Sequence, residues 1–143
     1  LFYICYEMLS LIRDLRQCRQ DILERAPLMI TAYRDKIRER VTQLLSGSGA
    51  TVTDQDLVRE VSLFADKCDI TEELSRLQSH LGQFEDSLNA HPSAGRKLDF
   101  LCQELNREVN TIGSKSNDVA ITHRVVDAKA VVEKLREIVQ NVE

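Results

Sequence analysis

Ile121-Thr122-His123-Arg124-Val125-Val126-Asp127-Ala128-Lys129-Ala130-Val131-Val132-Glu133-Lys134-Leu135-Arg136-Glu137-Ile138-Val139-Gln140-Asn141-Val142 is the stretch that decides the fold. Apolar side chains fall at Ile121, Val125, Ala128, Val132, Leu135, Val139 and Val142, in steps of 4, 3, 4, 3, 4, 3. This spacing stacks them on one side of a helix and leaves no period-2 alternation for a strand. About 22 residues of helix reach ~33 Å. A heptad run this short does not sustain a long free coiled coil. Its expected setting is antiparallel packing in a bundle, or a subunit contact.

The same periodicity extends towards the N-terminus. Leu98, Leu101, Cys102, Leu105, Val109 and Ile112 mark a fifth helix over about 96–112, with Gly113 placed as a C′ residue. Ile70, Leu74, Leu77, Leu81, Phe84 and Leu88 mark a fourth, with Asp69 as N-cap and Glu72 completing a capping box. A break follows over 89–95, around Pro92. Leu57, Val61, Phe64 and Cys68 mark a third, capped by Thr53 or Asp54. Before it, Ile30, Tyr33, Ile37, Val41 and Leu44 form a second stripe, and Ile4, Met8, Leu11, Leu15, Cys18 and Ile22 a first. Pro27 separates these two, because it fits a first helical position better than an interior one. The expectation is an all-α bundle of about six helices, packed antiparallel, with a long C-terminal helix and oligomeric contacts. Its divisions are a two-helix segment over 1–45, a Gly/Ser linker over 46–53 and a helical domain over 54–143.

Composition agrees. The chain has 143 residues, 43% hydrophobic and 29% charged, with only 5 Gly and 2 Pro. So few breakers disfavour a barrel or sandwich of many short strands. No run of 18 apolar residues exists to span a membrane. The start has no basic n-region and no cleavage site of small residues, so it is a poor signal peptide. Cys5, Cys18, Cys68 and Cys102 form no CxxC pair. A zinc site is therefore unsupported, and Cys18, Cys68 and Cys102, each on an apolar stripe, read as small buried hydrophobes in a reducing, cytoplasmic compartment.

The net charge of -4 excludes a uniformly basic nucleic-acid-coating protein. It is unevenly spread. Residues 1–45 hold 8 basic and 6 acidic groups, residues 54–86 hold 3 and 9, and residues 96–136 hold 8 and 6. The flanking segments can meet an anion without opposing the whole-chain charge, although solvated helix faces give the same counts.

One helix carries unusual polar chemistry. Gln103, Asn106, Arg107 and Asn110 share a face, and Glu104, Arg107, Glu108 and Thr111 form the adjacent row. Asn is a poor residue for a helix interior, so helix stability alone does not account for two of them. Carboxylates suit a hard cation, and Arg and Lys suit phosphate oxygens. Gly113-Ser114-Lys115-Ser116 adds hydroxyls and a cation. The plain alternative is intrahelical pairing of Glu104 and Glu108 with Arg107.

The residues here resemble a known family. Gly95-Arg96-Lys97-Leu98-Asp99-Phe100-Leu101, Gln103-Glu104-Leu105-Asn106-Arg107-Glu108 and Asn110-Thr111-Ile112-Gly113-Ser114-Lys115-Ser116 closely resemble the YicC-like bacterial endoribonucleases. The stretches 69–81 and 133–143 agree. The resemblance is strong over 58–143 and weaker over 13–57. It corresponds to the family's C-terminal part, without the N-terminal domain, so the chain reads as a fragment or a truncated form.

That resemblance implies metal-dependent endonucleolytic cleavage of RNA in bacterial RNA turnover, with a divalent ion (Mn or Mg), RNA as partner, and a homo-oligomer, a hexamer. On this reading Glu104, Arg107, Glu108 and Lys115 are the catalytic candidates. Glu104, Glu108, Glu73 and His80 are the candidate metal ligands. Arg96, Lys97, Asn106, Asn110, Ser114 and Arg124 are the RNA-binding candidates. Two other readings stand beside it. One is an RNA-binding or oligomerisation module without catalysis of its own. The other is a helical protein–protein module using the last helix or the Phe2-Tyr3-Tyr6 cluster.

Overall fold

The apolar stripe of residues 121–139 packs as the buried face of a helix in the computed structural model, which describes residues 2–90 and 95–142. Ile121, Val125, Ala128, Val132, Leu135 and Val139 are all buried, and Val142 is half exposed. Among the described residues this helix is the last of five: α1 (Phe2–Leu44), α2 (Asp54–Lys67), α3 (Thr71–Leu88), α4 (Gly95–Lys115) and α5 (Val119–Val142). The expected break over 89–95 begins with Asn89 as the C-cap of α3, and its Pro92 lies outside the described residues.

The count of five rather than six corrects the reading of Pro27. Residues 2–44 form one continuous helix with Pro27 inside it. A proline costs the bond its N–H would have made to the carbonyl four residues back. Here that carbonyl belongs to Leu23, and both Leu23 and Pro27 lie on the exposed side of α1. The buried side carries Cys18, Ile22 and Met29 past the proline without interruption.

Gly113 is also reassigned. α4 continues through it to Lys115, so it is not the residue that ends the helix. Its role is close approach: a Cβ there would meet Val125 Cγ1 of α5 at 3.1 Å. The turn after α1 does use glycine's freedom, with Gly47 and Gly49 at φ +85° and +78°. Thr53 caps α2 in a full capping box with Asp56. Asp69 Oδ1 accepts from the Thr71 amide and hydroxyl at the start of α3, while Glu72 turns away to Arg76.

Cross-helix contacts fix the topology. Arg19 of α1 donates to the Leu74 carbonyl of α3, and Arg16 reaches Glu85, so these helices are antiparallel. Glu73, Arg76 and His80 of α3 face Lys115, Glu108 and Glu104 of α4, again antiparallel. α4 and α5 reverse through residues 116–118. Arg25 clamps Asp118, and Arg124 of α5 approaches Asp21 of α1 at 3.9 Å. The first half of α1 therefore closes a ring with α3, α4 and α5, each helix antiparallel to both of its neighbours. Buried side chains from both sides of the Gly/Ser turn enter one core. The second half of α1 projects beyond this ring, and α2 folds back along it. Tyr33 stacks on Phe64 with ring centroids 3.7 Å apart, and Arg38 pairs with Asp54. No described helix is long and apolar enough to cross a membrane.

Cys18, Cys68 and Cys102 are buried, as their places on apolar stripes predict, and all four cysteines are free. Burial pushes the Cys102 thiol up to about 12. Two outcomes follow. Replacing Pro27→Ala restores a donor for Leu23 and raises stability by up to about 3 kcal/mol in urea unfolding. A thiol reagent labels Cys5 first in the native chain at neutral pH and reaches Cys102 only on unfolding.

Candidate functional site

The seam between α3 and α4 is apolar beneath and charged above. Leu74, Leu77, Leu81 and Phe84 bury the inner side of α3, and Leu101, Leu105, Val109 and Ile112 that of α4. One helical position aside, each helix sets polar residues on the shoulder facing the other. In order along the seam these are Glu73, Arg76 and His80 on α3 against Lys115, Glu108 and Glu104 on α4.

Lys115 Nζ donates to Glu73 Oε1 at 2.7 Å. Arg76 Nε donates to Glu108 Oε1 at 2.8 Å, and the same guanidinium meets Glu72 at 2.6 Å and Glu73 at 3.6 Å. His80 Nε2 lies 3.8 Å from Glu104 Oε2, and Arg107 reaches Glu104 from the solvent side at 4.0 Å. Burial is deep for carboxylates: Glu73 and Glu108 are each only 3% exposed.

His80, Glu104 and Glu108 converge. Each offers a ligand atom, and these atoms lie within 4.8 Å of one another. Both ring nitrogens of His80 and Oε2 of Glu108 are buried without a hydrogen-bond partner. An unpaired buried carboxylate oxygen is costly, and so is an unpaired imidazole nitrogen. One imidazole and two carboxylates form a nitrogen–oxygen donor set that fits a divalent cation such as manganese or magnesium.

Three of the four predicted metal ligands thus meet in one place. The fourth, Glu73, lies on the same row but is held by Lys115 and Arg76. Burial alone would raise its carboxyl. The bond from Lys115 and the charges of Lys115 and Arg76 outweigh that and hold it below the usual carboxylate range. Lys115, predicted to face phosphate, anchors Glu73 instead, and the Glu73 bond raises the lysine above its ordinary value.

The predicted RNA-facing residues divide. Arg107, Asn106, Asn110 and Ser114 lie exposed along α4 beside the row, and Arg96 and Lys97 are exposed in its first turn. The Ser114 hydroxyl donates back to the Thr111 carbonyl. Arg124 lies elsewhere, at the α1–α5 seam on the opposite side of the ring, paired with Asp127 at 3.2 Å.

A family model described as Endoribonuclease YicC-like, C-terminal, matches residues 22–143. The chain belongs to the YicC-like family. It is 44% identical over 124 residues to Probable endoribonuclease YicC of Clostridioides difficile, across 87% of this chain and 42% of that protein. It is 42% identical over 106 residues to the Haemophilus influenzae protein of the same name, across 74% of this chain and 37% of that protein. The chain therefore spans less than half the length of these curated relatives.

Two residues of this YicC-like chain, one in the seam and one at the α4–α5 turn, were missed by sequence reasoning. Arg76 binds carboxylates on both helices; its spacing of four from Glu72 and three from Glu73 signals only the local half of that. Asp118 caps α5 through the Ile121 amide and accepts both donors of Arg25. The bond from Arg25 holds Asp118 below the usual carboxylate range. A carboxyl depressed by folding stabilises above its unfolded value, near 4, and loses that contribution as pH falls through the folded value. Glu73→Gln and Asp118→Asn are therefore expected to lower the urea midpoint at pH 7. Their deficits against the parent chain should shrink towards pH 3.

Proposed function

We propose that the chain carries the cation-dependent RNA-cleaving centre of a YicC-like endoribonuclease, at the α3–α4 seam. The observation that carries this reading is the convergence of His80, Glu104 and Glu108 with unpartnered buried donor atoms, in a chain of that family. His80, Glu104 and Glu108 would hold the ion. A bound divalent ion supplies Lewis-acid stabilisation of a phosphoryl oxygen and a more acidic water.

The side chains do the rest. Arg107 is 73% exposed beside Glu104, free to swing onto a phosphate oxygen while its neighbours stay fixed. Asn106 and Asn110 flank it with amide donors and acceptors, and Arg96 and Lys97 extend the positive edge towards the start of α4. Charge supports the assignment. Glu72, Glu73, Glu104 and Glu108 face Arg76, Lys115 and Arg107, leaving a single negative charge in excess with His80 neutral. A divalent cation reverses that sign, so the loaded seam attracts phosphate where the bare one repels it.

Assembly into a homo-oligomer belongs to the same reading. Phe2, Tyr3 and Tyr6 are 94%, 76% and 69% exposed at the start of α1, an apolar surface suited to a subunit contact. A second reading, an RNA-binding or assembly module without cleavage of its own, is favoured by the exposed Arg96, Lys97 and Arg107 beside carboxylates that Arg76 and Lys115 already pair.

The test incubates this chain and a full-length relative with end-labelled RNA, with manganese or with EDTA. Cleavage by both, abolished by EDTA and reduced about 100-fold by Glu104→Gln or Glu108→Gln, supports the first reading. Cleavage by the relative alone, with salt-sensitive RNA binding by this chain, supports the second.

A further inference from the structure

Among the described residues, Arg76 is the one cation of the seam that touches carboxylates on both helices. Its Nε takes Oε1 of Glu108 at 2.8 Å, and its two terminal nitrogens are drawn to Glu72 at 2.6 Å and Glu73 at 3.6 Å. A guanidinium can also grip a carboxylate with two parallel bonds, which here would occupy both oxygens of Glu108. The competing carboxylates of α3 prevent this. Glu108 gives Arg76 one oxygen, and its other oxygen, Oε2, is left buried and unpartnered in the group with His80 and Glu104.

From this geometry we infer that Arg76 is the positioning residue of the cation site: it fixes Glu108 through Oε1 so that Oε2 is presented, already desolvated, beside His80 and Glu104. The inference rests on the reading that these three residues hold a divalent cation. Two features set this apart from an ordinary ion pair. Glu104 and Glu108 stand one helical turn apart, Glu108 buried and Glu104 half-buried, and like charges so placed repel. The Arg76 charge offsets that repulsion before any cation arrives. Glu108 is also too enclosed, at 3% exposure, to be reoriented by solvent. Outer partners that orient a ligand in this way are worth about 10–100-fold in metal affinity. Lysine offers a point charge in place of the planar fork and cannot span Glu72, Glu73 and Glu108 together.

The test titrates manganese into the whole chain at neutral pH, following the loss of the free-ion EPR signal, with no RNA present. The parent chain binds the ion, and Glu108→Gln abolishes binding. Arg76→Ala weakens it by about 10–100-fold, and Arg76→Lys falls between. Arg16→Ala removes a half-exposed ion pair between α1 and α3, that with Glu85, and changes affinity by less than about twofold. A general loss of stability would move Arg16→Ala and Arg76→Ala alike, and urea midpoints in EDTA report it separately. If Arg76→Ala does not fold, Arg76→Lys decides: weakened binding supports the role and parental affinity overturns it. Binding in the parent, lost in Glu108→Gln but unchanged in both Arg76 variants, overturns the positioning role and leaves the cation site standing. No manganese binding by the parent chain overturns both.

Discussion

The antiparallel contact of α3 with α4 is the constraint on which the charged row depends. Leucines and Phe84 on one side, with Leu101, Leu105, Val109 and Ile112 on the other, hold the two helices together as part of a single core. Fixing them there sets a register in which Glu73 meets Lys115, Arg76 meets Glu108 and His80 meets Glu104. Sliding one helix by a turn, about 5.4 Å, would leave each carboxylate beside the wrong partner. It would also strand Glu73 and Glu108 in an apolar seam, where an uncompensated charge is expensive. The core and the ion row therefore enforce each other's register.

The row is graded along its length. At the end where α3 begins, Lys115 and Arg76 hold Glu73 through Oε1, while its Oε2 is buried without a partner. In the middle, Arg76 divides itself among three carboxylates. At the His80 end the pairing is incomplete, and the orphaned atoms of His80 and Glu108 gather. Ordinary helix packing would place apolar or fully bonded groups there. Convergence of three donor groups, rather than an orphaned atom alone, is what singles out that end as the proposed cation site.

Much of this was legible from residue spacing. The α5 stripe predicted its buried side chains, and the i, i+4 pair Glu104 and Glu108 was already seen to share a helix row. His80, a candidate metal ligand on sequence grounds, is found on the α3 shoulder opposite Glu104. Two local signals were overruled by tertiary context. Pro27 stays inside α1 because its missing bond falls on the solvent side, and Gly113 lies inside α4, where a Cβ would press on the Val125 side chain of α5. Partnerships between helices were not legible, since periodicity within one helix gives no register against another. That is why Glu73 was grouped with His80 rather than with Lys115, why Arg76 was overlooked, and why Arg124 was assigned to a surface on the far side of the ring.

The projecting half of α1 has a mechanical meaning. α2 leaves its tip at Asp54 and returns over 14 residues, roughly 21 Å, to Cys68 and Ile70, which are anchored in the core. Stacking of Tyr33 on Phe64 braces the two legs near their base. The projection is thus a triangulated bracket rather than a free rod. One of its feet stands on α1, and the other stands two residues before Glu72, at the head of the helix that bears Glu73, Arg76 and His80. A push on the Gly/Ser apex is borne by the same helix end that sets the register of the ion row.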